Sequence, residues 1–322
     1  MRVGGSAADS RFTLLTLKRL LNTAFVLVAL AVTVLVARHY AHSGWPLRRA
    51  NFWLVGLAAV IFLGAYAAKA WGWQRLFHSE QRPAVLTLAA AGGAASVGGI
   101  ALPGRCDEVI RVAVVRRCRR RTASFGAVAL SLFLLGLIDS AAMSPLAAVA
   151  LSIEHVGGWF QIGLAIVVVA GVAAAAVVLT LPRLTGLRFL ARFRVATWMH
   201  DNATSPRQAI WAWGAVATSW VLRSLATFVL LAALGLGTDF ALALAFVCAS
   251  AASAVLPVAP AGAAVQAGAG AAILVAAGVR SQDAIAFGIA AQALIIAAGA
   301  MCVLALAAWH AQARFVPLRF SR

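Results

Sequence analysis

The chain has 322 residues, 63% of them hydrophobic and only 11% charged, with a mean hydropathy of +0.93. That balance excludes a soluble globular surface, which carries about 25% charged residues, and places the chain among polytopic membrane proteins. Its net charge of +18 does not indicate a nucleic-acid partner, because Lys and Arg are concentrated in the connections between apolar runs, where topology and anionic lipid headgroups account for them.

Residues 1–15 read as a cytoplasmic tail, and 16–312 as a single transmembrane domain. A helix needs about 20 apolar residues to cross the hydrocarbon core. The first candidate, 20–37, lacks a small-residue cleavage site and is followed by Arg38, so it reads as a span and not a signal peptide. The next spans are 52–73, 123–150, 156–181, 208–236 and 284–309, with two shorter runs at 239–257 and 263–279. Trp53, Trp71, Trp73, Trp159, Trp211, Trp213 and Trp309 mark the ends of these runs, as rings that favour the headgroup level should. Residues 313–322 read as a second cytoplasmic tail.

Two stretches differ from the rest: Leu88–Arg105 and Ala251–Ala272, within interrupted segments 85–105 and 251–272, are apolar but built mainly from Ala, Gly, Ser, Val and Pro. Irregular backbone is tolerated at membrane depth only where protein or a water-filled cavity surrounds it, so a matched pair of broken segments points to a binding site. Gly98, Gly99, Pro103, Gly104, Pro257, Pro260 and Gly262 are the expected hinges. The predicted fold is an all-α polytopic integral membrane protein with about seven to eight transmembrane helices plus interrupted or re-entrant segments, and the pairing suggests two pseudo-repeated halves.

Arg105, Arg111, Arg116, Arg117, Arg119, Arg120 and Arg121 place the 105–121 connection in the cytoplasm. The same rule puts Glu154 and His155 outside, Arg183–Arg207 inside, Gly235–Asp239 outside, and the tail with Arg314, Arg319 and Arg322 inside. Arg11, Lys18 and Arg19 also look cytoplasmic, so two spans return the chain inside at Arg75 and Arg82. A full crossing by 85–104 would then put the basic 105–121 connection outside, so this segment is expected to dip in and return, turning at Gly92, Gly93, Gly98, Gly99 and Pro103. Arg38, Arg48 and Arg49 lie outside in this scheme, against the rule. Residues 184–199 interleave Leu187, Leu190, Phe193 and Trp198 with Arg188, Arg192 and Arg194, which fits either an interfacial helix or a solvated basic loop.

Two ionisable residues fall at membrane depth, Asp139 in LLGLIDSAAM and Arg223 in WVLRSLATF. Such groups are costly unless paired. Counted from the cytoplasmic ends they lie about 16 and about 15 residues into their spans, at similar depth for a ~1.5 Å rise, and an Asp139–Arg223 ion pair is expected. It can serve as a structural lock or as a polar waist that meets a headgroup. In LPGRCDEVIR, Arg105 and Arg111 carry guanidinium forks suited to phosphate beside Asp107 and Glu108, carboxylates that also fit a helix N-terminus. In LPVAPAGAAVQ, a Pro-Gly break precedes Gln266 and a small-residue helix, which suits an anion at the helix start or close helix packing. Cys106, Cys118, Cys248 and Cys302 contain no C-x-x-C, and the six histidines never pair at ligand spacing, so neither a metal nor a cofactor is indicated.

ALPGRCDEVIRVAVV resembles the LPGR-x-GE-x-x-R signature of the lysylphosphatidylglycerol synthase transmembrane-region family, a flippase-like domain. The helix bearing Asp139 and the tract PAGAAVQAGAGAAILVAAGVRSQDAIAFGI follow in the order and spacing of that family, over roughly residues 15–310. Asp107 stands where the family usually has glycine, and Gln266 where it usually has glutamate, which disfavours proton coupling through that position. About a dozen residues follow the last run, so the aminoacyl-transferase domain of the lipid-modifying members is not expected.

The resemblance implies a non-enzymatic, lipid-handling protein of the bacterial inner membrane, with both termini cytoplasmic, that binds and flips an anionic or polyprenyl-linked lipid. Its expected headgroup-binding residues are Arg105, Glu108, Arg111, Arg223 and Gln266. An intramembrane lipid-modifying transferase and a non-transporting partner in envelope biogenesis are the rival readings, and a homodimer is left open. The transferase is disfavoured because 38–51 holds no Asp or Glu and no G-x-S-x-G motif is present.

Overall fold

The computed structural model describes residues 38, 42, 50–101, 106–117, 124–152, 158–185, 205–255 and 262–315. These form nine α-helices: α1 (Phe52–Arg75), α2 (Val85–Ala101), α3 (Cys106–Arg117), α4 (Phe125–Leu151), α5 (Gly158–Thr185), α6 (Pro206–Ala233), α7 (Phe240–Val255), α8 (Gly262–Ala276) and α9 (Ser281–Phe315). Five of them, α1, α4, α5, α6 and α9, contain stretches long and apolar enough to cross a membrane. The all-α polytopic reading holds, and the spans expected at 52–73, 123–150, 156–181, 208–236 and 284–309 are these five. The candidate span 20–37 and the basic stretch 186–199 lie outside the described residues.

Helix ends follow local chemistry. Asn51 caps α1 by accepting from the Trp53 and Leu54 amides, Ser124 caps α4 through the Ala127 amide, and Ser205 caps α6 ahead of Pro206. Gly235 (φ +72°) and Gly278 (φ +89°) end α6 and α8 in the left-handed conformation that lets Leu236 and Val279 donate back to Leu231 and Leu274.

The helices pack as antiparallel neighbours. At one end of the α1/α6 pair the Asn51 amide donates to the Ala233 carbonyl at 2.9 Å; at the other, Gly72 sits against Ala212 and Val216, with Trp71 edge-on to Trp211. In the α4/α5 pair Gly171 lies on Ser140 and Ser144, whose hydroxyl donates to the Val168 carbonyl at 3.2 Å. Half of the apolar window of α6 is buried against only 17% of that of α5, so α6 is the central span and α5 a peripheral one. Outward residues such as Ile166, Val169 and Leu304 are exposed, as a lipid-facing surface requires.

The short helices double back in pairs. Gly98 of α2 faces Ile110 of α3, and in α7/α8 Gly270 lies under the Phe246 ring while Ser250 Oγ donates to the Gln266 carbonyl at 3.0 Å. This corrects two expectations. Residues 85–101 form one continuous helix, so Gly92, Gly93, Gly98 and Gly99 make no turn; Gly93 instead crosses Gly299 of α9 with no room for a Cβ on either side. The runs expected as two further spans are helices of 16 and 15 residues, about 24 and 22 Å long at ~1.5 Å per residue, short of a crossing. Pro103, Gly104, Arg105, Pro257 and Pro260 fall between the paired helices, outside the described residues, and Gly262 begins α8.

Candidate functional site

At the centre of the bundle a carboxylate from α4 meets cations from α1 and α6. Lys69 Nζ lies 2.8 Å from Asp139 Oδ2, and Trp220 Nε1 donates to Asp139 Oδ1 at 2.9 Å, so both carboxylate oxygens are engaged. The side chains of Lys69 and Asp139 are 20% and 26% exposed, so the pair reaches the edge of the packed core.

The expected Asp139–Arg223 pair is therefore corrected: the partner of Asp139 is Lys69. Arg223 is close enough to act on both charges, as the matched depths implied, but aromatic rings hold it. Its guanidinium carbon lies 4.8 Å from the Trp220 ring centroid, 5.7 Å from Phe62 and 6.0 Å from Tyr66. Ring faces attract a cation without using its N–H donors, and Arg223 Nε is buried with no hydrogen-bond partner among the described residues. The Trp220 ring also receives Lys69 at 5.5 Å, so one indole orients two cations and an anion. Tyr66 is fixed in turn by a 2.7 Å hydrogen bond between its hydroxyl and that of Ser96, which ties α1 to α2.

Beside this cluster opens a cavity to which Phe62, Trp220, Arg223, Phe246, Gln266 and Gln292 contribute. Of the residues expected at a headgroup site, Arg223 and Gln266 line this cavity together. Arg111 lies on α3 within electrostatic reach of Lys69 and Tyr66; its Nη2 is 3.6 Å from Asp107, and its Nε is buried without a partner among the described residues. Glu108 is exposed in the first turn of α3, and Arg105 lies outside the described residues.

Lys69, Trp220 and Gln292 were not anticipated. Lys69 had a legible signal, a lone charge followed by AWGW before Arg75, but its place near a span end resembled a flank. Trp220 sits mid-helix, away from the headgroup level where tryptophan is expected.

The arrangement offers an anion a guanidinium whose Nε has no partner among the described residues, amide groups beside it and apolar rings around it. The family model described as the lysylphosphatidylglycerol synthase TM region matches residues 24–300. No curated protein and no solved structure matches the chain. Because the family match runs through α1 to α8 and well into α9, the chain belongs to the lysylphosphatidylglycerol synthase transmembrane-region family.

Proposed function

We propose that this protein binds the phosphate of an anionic or polyprenyl-linked lipid at Arg223 and carries the headgroup across the bacterial inner membrane without altering it chemically. The observation that supports this most directly is Arg223 itself, a cation at the cavity wall that is braced by three rings and has no carboxylate partner among the described residues. A guanidinium in that state gains most from a ligand that brings its own negative charge.

The helix pairs supply a route. The α2/α3 pair begins and ends at the α1 terminus marked by Arg75, and the α7/α8 pair at the α6 terminus marked by Ala233, which is the opposite end of the antiparallel α1/α6 pair. We read both as re-entrant pairs that enter from opposite faces, α7/α8 lining the cavity and α2/α3 reaching the cluster beside it through the Ser96–Tyr66 hydrogen bond, an arrangement in which transporters place midplane sites. The basic connections at 75–82, 105–121 and 183–207 then fall on one side, which the positive-inside rule makes the cytoplasm, with both chain termini on it, while Arg38, Arg48 and Arg49 stay on the other.

The test is headgroup translocation in proteoliposomes, with a short-chain fluorescent phosphatidylglycerol quenched from outside by dithionite. Wild type should expose the probe of the inner leaflet, Arg223→Ala should slow that exposure at least about tenfold, the weight of one charge-assisted contact of ~1.4 kcal/mol, and Arg223→Lys should recover part of the rate. An Arg223→Ala protein that is folded and moves the probe at the wild-type rate overturns the proposal.

A further inference from the structure

The cavity also carries information about the rest of the headgroup. Of the elements that line it, α1, α6, α7 and α8 contain no Asp or Glu, and α9 contains only Asp283, held by Arg280 at 2.8 Å at the start of that helix. Beyond Arg223 the polar lining among the described residues is neutral: Gln266, Gln292, Ser250 and Thr227. The two hydroxyls donate to the Gln266 and Arg223 carbonyls, at 3.0 and 2.9 Å, which leaves the two amides as the principal groups for a ligand.

A cationic headgroup needs a carboxylate or an open aromatic face. Arg223 already lies over the rings of Phe62, Tyr66 and Trp220, Lys69 shares the Trp220 ring, and Phe246 is packed edge-on with Phe287 at 5.0 Å. An ammonium drawn into the cavity would therefore meet Arg223 as a like charge, the nearby Asp139 being already taken by Lys69 and Trp220, whereas a hydroxyl both donates to and accepts from a carboxamide.

We infer that the cavity selects lipids whose phosphate carries an uncharged, hydroxyl-bearing headgroup, and rejects lipids whose headgroup bears an amine. This rests on the reading of Arg223 as the phosphate anchor and adds the chemistry of the group beyond the phosphate. Gln266 and Gln292 are the specificity-determining residues, because each could be a carboxylate of the same shape and is not.

The test is native mass spectrometry of the full chain, purified in detergent and given equimolar phosphatidylglycerol and its lysyl ester. Wild type should retain phosphatidylglycerol over the ester by about tenfold or more, the scale of one unscreened charge contact. Gln266→Glu should shift that ratio at least about threefold toward the ester; Gln292→Glu serves as the second variant should the first fail to fold. Equal retention of both lipids by wild type, with binding still lost in Arg223→Ala, overturns this inference and leaves the phosphate anchor standing. Retention of both lipids unchanged in Arg223→Ala overturns the anchor, and this inference with it.

Discussion

Asp139 has two oxygens and two partners, one cationic and one neutral, so its role is to hold Lys69 and Trp220 in register. Removing one member of a buried pair leaves the other charged and alone, at about 3–5 kcal/mol for a fully enclosed pair. With a fifth to a quarter of each side chain exposed, Asp139→Asn and Lys69→Met should each cost about 2–3 kcal/mol in denaturation of the purified protein. The double variant should cost clearly less than the sum; a strictly additive result would show that the pair is not coupled. Asp139 and Arg223 were legible because an ionisable group inside an apolar run is conspicuous. Their partners were not, because helices apolar on every face leave rotation about the helix axis undetermined, and rotation decides which charge faces which.

Glycine at the crossing of two helices sets how close they come, and helical glycines differ sharply in this respect. A Cβ on Gly93 would run into the backbone of Gly299, whereas one on Gly136 in α4 would meet nothing within 4 Å. Gly93→Ala should therefore destabilise by about 1–3 kcal/mol through overpacking. Gly136→Ala should be neutral or gain up to about 1 kcal/mol from helix propensity, and melting both variants beside wild type checks the contrast. The long spans could be read from the sequence because length and hydropathy suffice for them. The hinges at Gly98 and Gly99 could not, since glycine serves a sharp turn and a close approach equally well, and only the facing helix tells the two uses apart.

Across the molecule, the re-entrant reading makes a topological prediction. Cysteine placed at His78, before α2, and at Ser124, after α3, in a chain whose native cysteines are replaced by serine, should react with a membrane-impermeant reagent from one side; cysteine at Asp239 should react from the other. Ser124 sharing its side with Asp239 would make the α2/α3 pair a crossing and remove the proposed entry of the two pairs from opposite faces. Charge distribution argues for the same reading: a full crossing by 85–104 would put the most basic connection on the face away from the cytoplasm. The long helix α9 gives the plan its mechanical character. Gly288 seats it on Ala267 of α8 and Gly299 seats it on Gly93 of α2, and their offset of eleven positions is about three turns, so one stripe of one helix carries both seats. With both pairs seated on a single strut by backbone contact, a displacement of one pair is passed to the other, so under the proposed transport the two would rock together and not open as two separately latched doors.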